Sequence, residues 1–329
     1  VTVLPNFGDV MLAAERLCGV AVHTPLLRSD ILDELTGGRI LLKAEVLQKT
    51  GSFKIRGAYN RLKQLVESDM QGGGVVAFSS GNHAQGVAAA AQILDMQAVI
   101  VMPRDAPPLK IANTRRLGAE VVLYDRWTQS REGIAATIAS ERGATVVPAF
   151  DDPGVIAGQG TVGLEIASDV KALGLSLDAV YIPASGGGLT AGIALALEGT
   201  SPGTAVYTAE PASLNDHALS FARGERVCND PAARSICDAL QAPEPGSITF
   251  AVNEPRVAGG VVATDEEVLR AMNFAFKALK LVVEPGGAVA LAALLAGRVD
   301  AKDRTIAIVL SGGNVEPDLF SDCLTRKAF

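Results

Sequence analysis

From Gly72 to Val147 the chain alternates short, β-branched apolar runs with longer helix-forming runs. Val75 to Phe78, Ala98 to Met102, Val121 to Leu123 and Thr145 to Val147 read as strands. Asn82 to Leu94, Lys110 to Leu117 and Ser130 to Arg142 read as helices. Strands joined by helical crossovers pair in parallel, so the alternation calls for a parallel-type sheet covered by helices. The pattern resumes further on. Helices are expected over Val155 to Leu173, Leu189 to Leu197, Asp265 to Leu279 and Gly286 to Leu295, and strands over Ala179 to Pro183, Ala205 to Ala209 and Thr305 to Leu310. Before Gly72, residues 6 to 19 read as an amphipathic helix and 39 to 46 as a strand. Residues 211 to 258, rich in Pro, Gly and polar side chains, read as an irregular surface excursion. A chain of 329 residues is long for one core and suits an α/β fold of two lobes. The expected division is a large domain from 1–73 plus 148–329, with 74–147 as a small domain.

Composition removes several function classes. Hydrophobic residues make up 48% and charged residues 20%, as in an ordinary globular enzyme. The net charge of −7 gives no support to nucleic-acid binding. No apolar run reaches membrane-spanning length, so no membrane partner is expected. Cys18, Cys228, Cys237 and Cys323 form no CxxC pair, and the cytoplasm, which keeps thiols reduced, is the expected location. There is no HxxxH zinc spacing and no GxSxG elbow, and the loop Ser185-Gly186-Gly187-Gly188 is neither a Walker loop nor a GxGxxG fingerprint.

What remains is a set of polar or glycine-bearing loops that follow strands, where ligands gather in α/β sheets. Ser185-Gly186-Gly187-Gly188 precedes a helix whose first N–H groups are unpaired, a natural seat for a phosphate. A plain strand-to-helix turn would explain one or two of its glycines. Ser79-Ser80-Gly81-Asn82-His83 also links strand to helix and offers hydroxyls, an amide and an imidazole, a cup suited to a carboxylate. Its other reading is a helix cap made by Ser80 or Asn82. Lys54, in Lys49-Thr50-Gly51-Ser52-Phe53-Lys54-Ile55-Arg56-Gly57-Ala58, stands near a helix start. The helix dipole opposes its charge there, and burial would lower its pKa further, as a lysine that attacks a carbonyl requires. A lone lysine would more simply be a solvated surface charge.

Together these stretches resemble the fold type II (tryptophan synthase β-like) enzymes that use pyridoxal 5′-phosphate, and within them the serine racemase and threonine (serine) dehydratase family. The landmarks fall in family order: KTGSFKIRGA at 49–58, SSGNHAQG at 79–86, VIAGQGT at 155–161, SGGGLTAG at 185–192, EPGGA at 284–288 and LSGGN at 310–314. The resemblance implies two lobes with the cofactor between them. It assigns Lys54 as the Schiff-base lysine and later acid/base, and Phe53 as a neighbour of the ring. Asn82 would bond the ring hydroxyl, and Ser185, Gly186, Gly187, Gly188 and Leu189 would form the phosphate loop. Ser311 would meet the pyridine nitrogen; a hydroxyl there limits the electron sink and favours elimination over transamination.

The resemblance also places Ser79, His83 and Arg131 at the substrate carboxylate, with a solvated helix face as the other reading of Arg131. Ser80 matches the serine that handles the α-proton on the opposite face in serine racemase. Glu210, the Leu214 carbonyl and Asp216 match a divalent-cation site for Mg²⁺ or Ca²⁺, although the spacing alone would suit a solvated acidic loop. Ile236-Cys237-Asp238-Ala239 departs from the family's I-A-D-G, which would reshape the wall near the cofactor.

The implied function is α,β-elimination of water from a 3-hydroxy amino acid, first L-threonine or L-serine, giving a 2-oxo acid and ammonia. A homodimer is the assembly that the family suggests. A 3-hydroxyaspartate dehydratase is the near alternative and would need a further cation, which the sequence does not place. Serine racemase and, from another class, a non-catalytic anion-binding protein on the same fold are the others.

Overall fold

A computed structural model of the chain describes residues 3–326 apart from 71, 80 and 107. Among the described residues two sheets form the frame. The larger runs in the order β1 (Leu26–Arg28), β2 (Arg39–Ala44), β10 (Thr305–Leu310), β7 (Ala179–Pro183), β8 (Ala205–Pro211), β9 (Val257–Ala263). All neighbours are parallel except the short edge strand β1, which runs antiparallel to β2. The smaller sheet, wholly parallel, has the order β5 (Glu120–Tyr124), β4 (Ala98–Pro103), β3 (Val75–Phe78), β6 (Thr145–Val146).

Because side chains alternate along a strand, each sheet buries two faces. Ile40, Leu42, Ile306, Ile308 and Leu310 face the helices Asp265–Phe274 and Pro285–Leu295. Leu41, Ala307, Val309, Val180 and Ile182 face the opposite way, onto Val162 and Ile166 of the helix Pro153–Ala172 and Ile193 of the helix Gly188–Thr200. In the smaller sheet Val75, Ala77, Ile100 and Met102 pack with Ile55, Leu62 and Leu65 of the helix Lys54–Glu67. That helix also packs on the helix Pro153–Ala172, which covers the larger sheet, and Lys54 is its first residue.

The glycines shared among the sequence landmarks are where helices touch backbone to backbone. A side-chain carbon on Gly158 would lie 2.5 Å from the Arg56 carbonyl oxygen, and one on Gly192 would lie 2.4 Å from the Gly160 nitrogen. The helices Lys54–Glu67, Pro153–Ala172 and Gly188–Thr200 are thus locked in contact through three of the six motifs. Arg56, 1% exposed, adds an ionic clamp: its guanidinium bonds Glu45 at 2.8 Å and Glu165 at 2.6 Å. These contacts fix the first turn that carries Lys54.

Residues 211 to 258 are more ordered than expected. They hold the helices Asp216–Arg223 and Ser247–Asn253, and β9 begins at Val257. The apolar run of β9 is interrupted by Gly259 and Gly260, which hides it in the sequence. The second glycine is needed because a side-chain carbon there would lie 2.7 Å from Thr208 Oγ1 and 2.9 Å from Ala218 Cβ. The short helix Asp30–Thr36, capped by Ser29 and closed by a left-handed Gly37, also escaped the sequence reading. No helix among the described residues is long and apolar enough to cross a membrane.

Candidate active site

The loop after β10 is stitched to the segment before Lys54. Ser52 and Gly312 form an antiparallel bridge, the Phe53 N–H donates to the Ser311 carbonyl (3.2 Å), and the Gly313 N–H donates to Gly51 (2.9 Å). The Asn314 amide donates to the Thr50 carbonyl (2.7 Å). Thr50, β-branched, sits at a φ of 63°, a strained choice that this stitching holds in place. Lys54 and Ser311, which the sequence placed at opposite ends of a ligand ring, thus arise from one hydrogen-bonded unit.

Lys54 keeps some accessible surface, yet its amine is ringed by protein. It donates to the Ala149 carbonyl at 2.8 Å and lies 5.1 Å from the centre of the Phe53 ring. Burial lowers its pKa from 10.5 to about 8, with Glu284 opposing that shift. The driving cause is loss of hydration, and near neutral pH a useful fraction of the amine is uncharged.

Asn82 is the first residue of the helix Asn82–Ile93, but its side chain does not cap that helix. It crosses to the larger sheet instead. Its amide donates to Glu284 Oε1 at 2.5 Å, and its oxygen accepts from Asn314 at 2.7 Å. Glu284, 6% exposed, is pushed up to about 7 by burial, against the pull of the Asn82 bond and of the Lys110 and Lys54 charges. Three motif loops therefore meet at one amide.

Gly187 caps the helix Gly188–Thr200 at a φ of +90° that favours glycine. A side-chain carbon on Gly186 would sit 2.3 Å from the Phe150 ring, and one on Gly187 would sit 2.7 Å from His217. The loop's carbonyls are tied behind it. Ser185 accepts from His217 Nε2 (2.6 Å), Gly186 from the Thr249 hydroxyl (2.5 Å), and Gly187 from the Asn253 amide (3.2 Å). With its carbonyls so engaged, the loop is left with the N–H groups of the helix start, including Leu189, to meet an anion. Thr190 Oγ1, buried in the first turn, has no protein partner. This donor set fits a phosphate, and the nearby lysine amine fits the aldehyde that pyridoxal phosphate carries.

The residues expected around a substrate carboxylate are less uniform. Ser79 Oγ accepts from the Gly81 N–H at 3.2 Å, which shapes the loop. Ser80 lies outside the described residues. His83 is buried, and its Nε2–H donates to the Val147 carbonyl at 2.9 Å. Burial and the Lys54 charge hold its pKa down at about 3, so Nδ1 is left as an unpartnered acceptor. In this state His83 offers a substrate no donor, which runs against the expected carboxylate contact; it suits an ammonium or hydroxyl better. Arg131 stacks over the Phe78 ring at 5.3 Å, pairs with Glu132 at 2.8 Å and is 47% exposed, at the rim of the cup.

Glu210 and Asp216 lie close to each other behind the Ser185–Gly188 loop, joined to it through His217. Glu210 accepts the N–H groups of His217 and Ala218, both at 2.8 Å, while Asp216 Oδ1 accepts from Asn229 and Oδ2 is buried without a partner. Burial, aided by the Asp216 charge, pushes Glu210 up to about 8, and burial pushes Asp216 up to about 6. Leu214 is buried in the turn between them. No group of three or more His, Cys, Asp or Glu side chains placed to hold a metal occurs among the described residues. Two carboxylates and an orphaned oxygen nevertheless fit one hard cation completed by carbonyl and water.

His217, Thr249, Asn253, Glu284 and Asn314 were not singled out as site residues in the sequence. Only the EPGGA and LSGGN motifs hinted at Glu284 and Asn314; the others sit in the stretch read as irregular.

A family model described as "Pyridoxal-phosphate dependent enzyme" matches residues 19–312. The L-threo-3-hydroxyaspartate ammonia-lyase of Pseudomonas sp is 43% identical over 98% of this chain and 99% of its own. The serine racemase of Schizosaccharomyces pombe is 39% identical over 98% of each chain. Among solved structures, that of maize serine racemase superposes with a TM-score of 0.91 at 34% identity, covering 97% of each chain. A threonine deaminase structure gives a TM-score of 0.87 at 43% identity, covering 95% of this chain and 99% of its own.

Proposed function

The chain belongs to the pyridoxal-phosphate dependent enzymes of fold type II, in the group of serine/threonine dehydratases and racemases, as a β-eliminating ammonia-lyase; on that basis we propose its substrate and the roles of its residues. The observation that carries the reading is the placement of the Lys54 amine on the Ala149 carbonyl, next to Phe150 that packs on the Gly186–Gly188 loop, within reach of the Glu284 carboxyl that Asn82 bonds. We propose that the enzyme removes water from a 3-hydroxy amino acid and releases a 2-oxo acid and ammonia. L-threonine and L-serine are the substrates expected from the sequence. 3-Hydroxyaspartate stands beside them, supported by the name of the Pseudomonas relative.

Pyridoxal phosphate, bound covalently through its aldehyde, supplies the electron sink that makes an α-proton acidic. Lys54 would be the residue that holds the cofactor's aldehyde, and its amine, with a pKa lowered to about 8, would serve as the base for the substrate's α-proton. Gly186, Gly187, Gly188 and Leu189 hold the phosphate through N–H groups, Asn82 the ring hydroxyl, and Ser311 the ring nitrogen, with Phe53 alongside. Ser79 and Arg131 orient the substrate carboxylate, and His83 accepts from the substrate's ammonium or hydroxyl. Ser80 would act on the opposite face, which keeps racemisation open as a side activity. Glu210, Leu214 and Asp216 hold Mg²⁺ or Ca²⁺ in a structural role, and the protein acts as a homodimer of two-lobed subunits divided at 74–147.

The test is a panel of L-threonine, L-serine, D-serine and both 3-hydroxyaspartate diastereomers offered to the cofactor-loaded protein, reading 2-oxo acid, ammonia and remaining enantiomers. Release of 2-oxo acid and ammonia from at least one 3-hydroxy acid is expected. D-serine formation without 2-oxo acid would move the reading to racemase, and silence across the panel would overturn it.

A further inference from the structure

The helix Pro108–Arg116 follows β4 and packs on the helix Asn82–Ile93. From it Lys110 reaches over and pairs with Asp238 at 3.3 Å. Asp238 opens the short 3-10 turn Asp238–Leu240, which packs on the start of the helix Pro285–Leu295: a side-chain carbon on Gly286 would lie 3.1 Å from Leu240 and 3.2 Å from Ala239. The residue before that helix is Glu284, bonded to Asn82. Lys110 therefore stands within electrostatic reach of Glu284, beside the segment whose Cys237 and Ala239 depart from the family wording.

The two halves of this pair are unlike. The Lys110 side chain is 13% exposed, whereas that of Asp238 is 63% exposed. The Lys110 stem is largely covered by protein, while the carboxylate that pairs with its ammonium is solvated and held at the long end of hydrogen-bond range. Such a carboxylate can be exchanged for another at little cost, because water takes back the released one. A substrate ending in a methyl or hydroxymethyl group gives this ammonium nothing. A substrate with a second carboxylate gives it a charge-assisted partner.

We propose that Lys110 is the specificity residue that receives the distal carboxylate of a four-carbon 3-hydroxy dicarboxylic amino acid, with Asp238 as the carboxylate it releases when that substrate enters. The inference rests on the ammonia-lyase reading and deepens it, supplying the further cation that the sequence did not place.

Lys110→Met and Asp238→Asn break the same ion pair, but only the first removes the cation. In the cofactor-loaded enzyme, Lys110→Met is expected to raise KM for 3-hydroxyaspartate and to lower its kcat/KM relative to L-threonine by about 10- to 100-fold. Asp238→Asn should leave that ratio unchanged or raise it. Succinate, a dicarboxylate that cannot react, gives an independent reading by calorimetry: binding should weaken about tenfold or more in Lys110→Met and not in Asp238→Asn. If both variants shift the ratio and the succinate affinity alike, the pair is only a tie across the cleft and the proposal fails. Equal losses on 3-hydroxyaspartate and L-threonine would also overturn it. A wild-type enzyme inert to every 3-hydroxy acid would defeat the ammonia-lyase reading alone, and the succinate measurement would still decide the role of Lys110.

Discussion

Asn82 and Glu284 are 202 residues apart in the chain, and the amide of the first donates to the buried carboxylate of the second at 2.5 Å. The bond joins the loop after β3, in the smaller sheet, to the helix that covers β10, in the larger. It also keeps a carboxyl group within the electrostatic reach of Lys54.

A stability test follows from Glu284. Burial raises its pKa from 4.5 to about 7, so between those values the folded chain keeps a proton that the unfolded chain has released. Stability therefore falls as pH rises through that window and is flat above it. Glu284→Gln keeps an acceptor for Asn82 and removes the charge. Its melting temperature should match wild type near pH 4.5 and exceed it increasingly up to pH 7, by roughly 3 kcal/mol in stability at the plateau. An offset independent of pH would contradict the assignment.

Lys54 is expected to react as an amine of pKa about 8. In the cofactor-free protein, its rate of modification by an amine-directed reagent, followed by mass spectrometry, should rise through a midpoint near pH 8. A midpoint near the ordinary 10.5 would show that the amine is solvated. Lys54→Ala should abolish the visible absorbance of bound cofactor and lower turnover by about 10³-fold or more.

Gly186→Ala should weaken cofactor binding at least about tenfold, because the added carbon meets the Phe150 ring at 2.3 Å and the loop must shift away from its anion-binding shape. Equilibrium titration with pyridoxal phosphate reads this directly. Unchanged affinity would mean that the loop does not hold the phosphate.

The Glu210/Asp216 pair should bind Mg²⁺ or Ca²⁺ in competition with protons. Millimolar cation should raise the melting temperature at about pH 8 by the stabilisation that a saturating ligand gives, about 2.7 kcal/mol at a hundred times its Kd. The gain should vanish below about pH 6, where both carboxyls are protonated, and in Asp216→Asn. A gain that persists in Asp216→Asn would place the cation elsewhere.

Reading the residues in order was enough for the smaller parallel sheet and for β2, β7, β8 and β10 of the larger, because strands joined by helical crossovers pair in parallel; the edge strands β1 and β9 were not legible. Lys54 and the Gly186–Gly188 loop were singled out by the family motifs, since taken alone each had a plain structural reading as a solvated charge or a strand-to-helix turn. Asn82 was marked too, but whether its side chain caps its own helix or meets a ligand stayed open. Packing ruled out the cap, by placing Glu284 and Asn314 within hydrogen-bond distance. The same holds for the silent acceptor of His83, the carbonyl ties made by His217, Thr249 and Asn253, and the reach of Lys110 to Asp238. Local periodicity reports which face of an element is buried. Burial and pairing between residues far apart in the chain set the protonation of Lys54, Glu284 and His83, and those are properties of the packed chain alone.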